Sequence, residues 1–244
     1  MSIANLFGSA AFISSFLLVT SPIPSIYEGY NKGEISNLNV EYLLIGCVQS
    51  SLWMLYGYKL NDFYTFLTNI ICVTLFLIYV NLYLWINKQN DKILKYNAIA
   101  IGSVSFFTVA FNGNICLLIG AIFSTFWHFT IIEKMKQSIQ TKDASFINLT
   151  VAGVSWVNFF LWLIYAILTE NYLMCIPNVV GVIIWGLNLL IYSWANSYVS
   201  HDNFIINSLA IVLKVEPKQS EINIKTPGEP LLNLRTSTPN NANF

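Results

Sequence analysis

The sequence predicts an all-α membrane protein of seven transmembrane helices, arranged 3+1+3 as two parallel triple-helix-bundle repeats joined by a linker helix. Three observations carry this reading: a very apolar composition, long windows without a charge, and a self-match at one fixed offset. Of 244 residues, 55% are hydrophobic and 10% charged, whereas an ordinary soluble domain has about 45–50% and about 25%. A conventional water-soluble enzyme is thereby excluded. Twelve basic and twelve acidic side chains cancel, so no global field draws nucleic acid to the chain. Cys47, Cys72, Cys116 and Cys175 stand far apart inside apolar stretches, without the spacing of a zinc, redox or disulfide framework. They read as small core residues, and neither a metal nor a cofactor is expected.

A spanning helix needs roughly 20 apolar residues, because the hydrocarbon core is about 30 Å thick and a helix rises about 1.5 Å per residue. Charge-free windows cover residues 1–27, 42–58, 63–87, 96–132, 144–169 and 171–200. The fourth has 37 residues, too many for one span, and Asn112-Gly113-Asn114 within it is a turn signal. Splitting it there makes seven spans. The second window has only 17 residues, and Asn39, Val40 and Glu41 extend it into the headgroup region. The first window carries no basic leading segment or small-residue cleavage site, so it reads as a retained helix. With the N-terminus outside, eleven of the twelve basic residues fall on the inner side and only Lys59 on the outer. Since cytoplasmic loops hold the excess of lysine and arginine, the C-terminus is expected in the cytosol. The plasma membrane is the expected location, with an internal membrane as the alternative.

Sliding the chain against itself by 109 residues pairs Ser36 with Ser145, Asn39 with Asn148, Trp53 with Trp162, Tyr56 with Tyr165, Asn69 with Asn178 and Trp85 with Trp194. Each copy covers three spans, and an odd number of crossings would invert the second copy unless one helix intervened. The fourth span serves that purpose. The expected division is a first bundle over 1–90, a linker helix over 91–113 and a second bundle over 114–199. Residues 200–244, rich in Pro, Asn, Ser and Thr beyond Lys214, read as a disordered cytosolic tail.

Trp53 and Asn69 lie eight residues on either side of Asn61. In an antiparallel helix pair they should be level, about 12 Å below the turn at about 1.5 Å per residue. Trp162 and Asn178 straddle Glu170 in the same way. Two such pairs at matching depth would face each other across the pseudo-twofold axis, where repeat-built transporters place substrate. A buried amide needs a partner, which the hydroxyls of a polyol supply, and an indole offers a flat apolar face to a sugar ring. For a tryptophan or asparagine alone, the better reading is an interfacial anchor or an interhelical bond; duplication at equal spacing reverses that preference. Trp85, Trp127 and Trp194 read as interfacial anchors, and His128 as a helix-packing residue. No charged side chain is expected at mid-membrane depth, which argues for uncoupled movement down a gradient. Pro22 and Pro24 should bend the inner half of the first helix, and Pro177 should loosen the seventh beside the pocket. In a two-state carrier these kinks would serve as flexing points.

SPIPSIY at residues 21–27, WMLYG at 53–57, TN at 68–69, WLIYA at 162–166 and IPNVVG at 176–181 resemble the SWEET sugar transporters, over about residues 5–197. The resemblance implies a uniporter working by alternating access between two triple-helix bundles. It matches Asn69 and Asn178 to the family's sugar-binding asparagines, Trp53 and Trp162 to its pocket-lining positions, and Tyr56 and Tyr165 to positions near its extracellular gate. Two bulky indoles favour a monosaccharide such as glucose over sucrose. The partners implied are a neutral sugar and the lipid bilayer, with no nucleic acid; a homo-oligomer is compatible with such a chain.

The chain departs from the family in its prolines: only Pro22 is retained, and the three other family positions hold Tyr42, Ile131 and Asn148. That departure bears on the movement of the inner gate. Gln49 and Asn188 also replace a frequent asparagine and a frequent glutamine. The alternatives are a PQ-loop-type transporter of another small solute, or a membrane scaffold or cargo receptor built on the same fold. The first would want a Pro-Gln pair in each repeat and a buried acid, and the second basic pocket residues.

Overall fold

Most of the expected spans begin on a side chain that accepts a hydrogen bond from the backbone of its own first turn, where a helix otherwise leaves its N–H groups unpaired. The computed structural model describes residues 2–36, 38–200 and 202–215. Ser2 caps α1 (Ile3–Val19), Asn39 caps α3 (Val40–Lys59) and Asp62 caps α4 (Phe63–Ile86). In the second half Asn112 caps α6 (Gly113–His128), Asn148 caps α8 (Leu149–Leu168) and Asn171 caps α9 (Tyr172–Ala195). Asn112 thus splits the over-long fourth window as its turn signal predicts. Between these helices lie α2 (Ile23–Lys32), α5 (Ile93–Ala110) and α7 (Ile132–Thr141), and α10 (Phe204–Val212) follows the last span.

Among the described residues, six helical stretches are long and apolar enough to cross a membrane: Ile3–Lys32, Phe63–Ile86, Asn90–Ala110, Gly113–Thr141, Leu149–Leu168 and Tyr172–Ala195. The seventh expected span, α3, has 20 residues but is more polar, carrying Gln49, Ser50 and Ser51. Both serines are buried, so the polarity faces protein.

The repeat is written in the backbone. Left-handed residues recur in pairs 109 positions apart: Gly33 with Lys142, Asn61 with Glu170, and Lys88 with Ser197. The first helix of each copy also breaks at the same place, α1 giving way to α2 after Val19 and α6 to α7 after His128. Pro22 and Pro24 stand at the N-cap and second position of α2, where a missing N–H costs no intrahelical bond. They start a new helix and do not bend a continuous one, which corrects the expectation from sequence. In the second copy Phe129–Ile131 forms a 3₁₀ turn without any proline, so the loss of proline at Ile131 leaves the break in place. Pro177 does lie inside its helix, α9.

Six segments close into a ring: α1 packs on α4, α4 on α3, α3 on α6, α6 on α9, α9 on α8, and α8 on α1. Within each copy the third helix sits between the first and second. The copies meet twice, the first helix of each against the second of the other. The linker α5 lies against α3 and α4. Asn81 and Asn97 exchange reciprocal amide hydrogen bonds of 3.0 and 2.9 Å between α4 and α5, a favourable arrangement in a medium without water. Lys59, the one basic residue expected on the outer side, donates to the carbonyls of Thr108 and Phe111 at the C-terminal end of α5, where positive charge suits the helix dipole.

Residues 204–212 correct the expectation of a tail disordered from residue 200. They form α10, whose Ile206 and Ala210 are buried in one apolar cluster with Met135, Ile139, Ile191 and Trp194. The Pro-, Asn- and Thr-rich stretch 216–244 lies outside the described residues.

The α3–α4 contact allows a direct test. A Cβ added to Gly57 would stand 2.5 Å from the backbone nitrogen of Phe66, whereas one on Gly102 of α5 meets nothing within 4 Å. Gly57→Ala should destabilise the protein by about 1–3 kcal/mol through overpacking. Gly102→Ala should leave stability unchanged or raise it by about 0.5–1 kcal/mol. Thermal unfolding of both variants in the same detergent checks the pair.

Candidate functional site

Inside the ring lies a cavity of about 250 Å³. Trp53 of α3, Asn69 of α4, Trp162 of α8 and Asn178 of α9 all line it, as the equal spacing about the two turns requires. Pro177 lines it too. Among the described residues none of those lining it is Asp, Glu, Lys, Arg or His, so this lining carries no formal charge.

Its polar groups are paired by rules that repeat at the 109-residue offset. The indole Nε1–H of Trp53 donates to Ser124 Oγ of α6 at 2.9 Å, and that of Trp162 donates to Ser15 Oγ of α1, also at 2.9 Å. Each tryptophan is thus tied to the first helix of the other copy. One turn away, Gln49 Nε2 donates to Ser124 Oγ at 2.8 Å, while Asn158 Oδ1 accepts from Ser14 and Ser15 at 2.8 and 2.7 Å. Both walls are therefore polar clusters bridging the two bundles. Asn69 Nδ2 donates to the Thr65 carbonyl at 2.8 Å and Asn178 Nδ2 to the Met174 carbonyl at 2.7 Å. One amide proton of each is used to hold the side chain against its own helix. The remaining proton and the carbonyl oxygen of each have capacity for a solute, as do Thr68 Oγ1 and Trp185 Nε1, buried atoms of the lining without a partner.

The cavity runs from this layer toward the lysine-rich end of the molecule, past Val19 and Ser21 at the end of α1, Tyr42 in the first turn of α3, and Val151 and Ser155 of α8. At the other end it is shut. Tyr165 donates its hydroxyl proton to Asp62 Oδ1 at 2.7 Å, and Asn171 Nδ2 donates to the Tyr56 hydroxyl. These two cross-bundle bonds are related by the repeat, and Asp62 and Asn171 are also the caps of α4 and α9. Trp53 meets Tyr56 edge-on at a centroid distance of 5.9 Å, and Trp162 meets Tyr165 at 5.5 Å. Tyr56 and Tyr165 therefore lie above the indoles and outside the cavity lining. Pro22 and Pro24 also lie outside it, at the α1–α2 break.

Sequence reading missed Ser15, Ser124, Asn158, Asp62 and Asn171. A signal for them existed, because the same offset pairs Ser15 with Ser124, Gln49 with Asn158 and Asp62 with Asn171. That signal is weak, because the last two pairs differ in residue type and serine is common. Two anchors need correction. Trp127 lines the cavity, with its ring 4.2 Å from that of Tyr42, and Trp194 is only 2% exposed, beneath α10 and with Lys142 Nζ 5.7 Å from its ring centroid. Trp85, at 54% exposure, keeps the position of an anchor. His128 packs edge-on against Phe159 at 4.5 Å, and its Nε2 lies 3.1 Å from the Pro177 carbonyl. Since a carbonyl only accepts, Nε2 is the protonated nitrogen.

Two three-helix copies around a charge-free chamber, shut at one end by paired tyrosine bonds, define a membrane protein of the carrier type. The family model described as "Sugar efflux transporter for intercellular exchange" matches residues 5–91 and 115–198. The chain belongs to that family, the SWEET transporters. It is 24% identical over 241 residues to a protein of Oryza sativa subsp. indica named bidirectional sugar transporter SWEET7b, covering 92% of this chain and 84% of that one. It is 21% identical over 202 residues to bidirectional sugar transporter SWEET10 of Arabidopsis thaliana, covering 78% and 70%. The solved structure of a eukaryotic SWEET transporter superposes with a TM-score of 0.71 at 14% identity, over 80% of this chain and 100% of that one. The relatives' names are those of transporters, not enzymes.

Breaking the two tyrosine bonds should open the shut end. In a chain keeping only Cys72, which lines the cavity, a membrane-impermeant maleimide should react from the lysine-rich side. Combining Tyr56→Phe with Tyr165→Phe removes two hydrogen bonds of about 1 kcal/mol each and should raise labelling from the opposite side roughly 10- to 30-fold. Labelling from that side at the unaltered rate would contradict the assignment.

Proposed function

We propose that the protein is a bidirectional uniporter of a neutral monosaccharide, such as glucose, which it carries down its gradient by alternating access between the two bundles. The observation that carries this reading is the chamber itself: uncharged, walled by one indole and one amide from each repeat, and continuous toward one end while paired tyrosine bonds close the other. The names of the relatives support sugar as the substrate class.

Each wall group has a chemical task. Asn69 and Asn178 offer donors and acceptors to sugar hydroxyls from opposite sides of the chamber. Trp53 and Trp162, their N–H groups already committed to Ser124 and Ser15, present apolar ring faces to the C–H surface of a pyranose. A cavity of about 250 Å³ is below the roughly 300–1,000 Å³ of sites for drug-sized ligands, which favours one ring over two. With no carboxylate, amine, guanidinium or imidazole among the described groups of the chamber wall, no proton or sodium ion needs to travel with the sugar. Exchange of access then consists of releasing Tyr56–Asn171 and Tyr165–Asp62 at one end while the helix breaks after Val19 and His128 close the other. The expected setting is the plasma membrane, with the N-terminus outside.

Labelled-glucose uptake in a host without its own hexose carriers tests this. Uptake should be independent of pH and sodium. Asn69→Ala or Asn178→Ala should each lower it about tenfold or more at equal expression, since a lost hydrogen bond in a dry site costs about 1–3 kcal/mol. A Trp53→Ser, Trp162→Ser double variant should admit sucrose. Background uptake by the wild type for every sugar tried, or full uptake by both asparagine variants, would overturn the proposal.

A further inference from the structure

The helix that follows the last span has three distinct sides, and only one of them is accounted for by the transport fold. Eight residues separate the end of α9 from the start of α10, with Asn203 Oδ1 accepting from the backbone N–H groups of Ile205 and Ile206 at 3.0 and 3.2 Å. Its inner side, Ile206 and Ala210, is buried in the cluster that includes Trp194 and Ile191. Both belong to the last two turns of α9, so α10 is held at the depth where that span leaves the membrane.

The remaining surface divides. Phe204 is 81%, Ile211 77% and Val212 76% exposed, and Ile205 is exposed beside them. At 3.6 residues per turn these four side chains fall within an arc of about 120°, whose middle is taken by the small, half-buried Ser208. Asn207, also exposed, lies on the adjoining edge, and the exposed Lys214 follows the end of the helix in a left-handed conformation. Such an apolar sector is unfavourable in water, and a helix with an apolar sector and a polar edge is suited to lying in a bilayer interface.

We propose that α10 is a membrane-surface helix whose Phe204, Ile205, Ile211 and Val212 insert into the leaflet on the lysine-rich side of the protein, while Asn207 and Lys214 face the headgroups and water. Two further features select lipid as the occupant. Leu149, the first residue of α8, and Phe129, at the end of α6, are exposed apolar side chains at the same end of the bundle. The basic residues of that end, Lys134, Lys136 and Lys142, suit an anionic headgroup layer. A surface helix fixed to Trp194 ties the inner end of the second bundle to the membrane plane, so the tilting of α9 is referred to the leaflet. This inference concerns membrane attachment and does not rest on the identity of the transported solute.

The test uses the full chain, its native cysteines replaced by alanine, in vesicles of phosphatidylcholine and phosphatidylserine. An environment-sensitive NBD fluorophore is placed at Ile211→Cys in one sample and Asn207→Cys in another. The Ile211 probe should emit at shorter wavelength, lose intensity when lipids spin-labelled near the carbonyl end of the acyl chain are included, and resist aqueous iodide. The Asn207 probe should show the reverse pattern. Quenching of the Ile211 probe by iodide and not by lipid would overturn the proposal. So would resistance to both quenchers, which would mean that protein covers the face. Repeating that measurement on a chain ending at Val215 would then tell residues 216–244 from a second copy.

Discussion

Polar side chains within a bilayer have no water to turn to, and the centre of this protein is organised by how that demand is met. The indoles of Trp53 and Trp162 each give their only proton to a serine on the opposite bundle, and Gln49 and Asn158 join the same serines. These clusters seal the sides of the chamber, orient the aromatic faces inward and satisfy the groups that would otherwise destabilise a dry interior. Once they are paired, Thr68 Oγ1 and Trp185 Nε1 keep unpartnered groups in the wall, and so do two asparagines. Each spends one amide proton on its own helix. A solute with several hydroxyls completes the pairing, and an ion would have no counter-charge in the wall.

The two halves share a plan without being identical, and the differences fall where the two ends of the pathway must behave differently. At the shut end one tyrosine bonds a carboxylate, Asp62, and its counterpart bonds an amide, Asn171. At the helix break the first copy uses proline and the second a 3₁₀ turn. The linker α5 is fastened to the first bundle by an asparagine pair and by Lys59. The second bundle has α10 packed at its inner end instead. The repeat therefore supplies a chamber with equivalent walls, while the periphery makes the bundles mechanically distinct.

Much of this was legible in the chain because tryptophan, asparagine and long charge-free windows are strong signals. The 109-residue offset, the split at Asn112 and the shared depth of Trp53, Asn69, Trp162 and Asn178 follow from spacing alone. The serines that receive the indole protons were not legible, since serine is common and its partners lie more than seventy residues away. Asp62 and Asn171 read as turn residues because their local role is to cap helices; their second role needs the opposite bundle in place. Trp194 and Trp127 looked like interfacial anchors because composition cannot tell a tryptophan at the lipid boundary from one covered by a neighbouring helix. The onset of the polar tail hid α10, whose nine residues are too few to stand out against it.

Counterflow in proteoliposomes tests the central claim most directly, because it requires one chamber to serve both faces of the membrane and needs no driving ion. Vesicles loaded with unlabelled glucose and diluted into labelled glucose, with identical buffer and salt on both sides, should accumulate label transiently above the outside concentration and then release it. Absence of that overshoot for every mono- and disaccharide tried, from protein that unfolds cooperatively and is fully reconstituted, would contradict a sugar-carrying chamber between the two bundles.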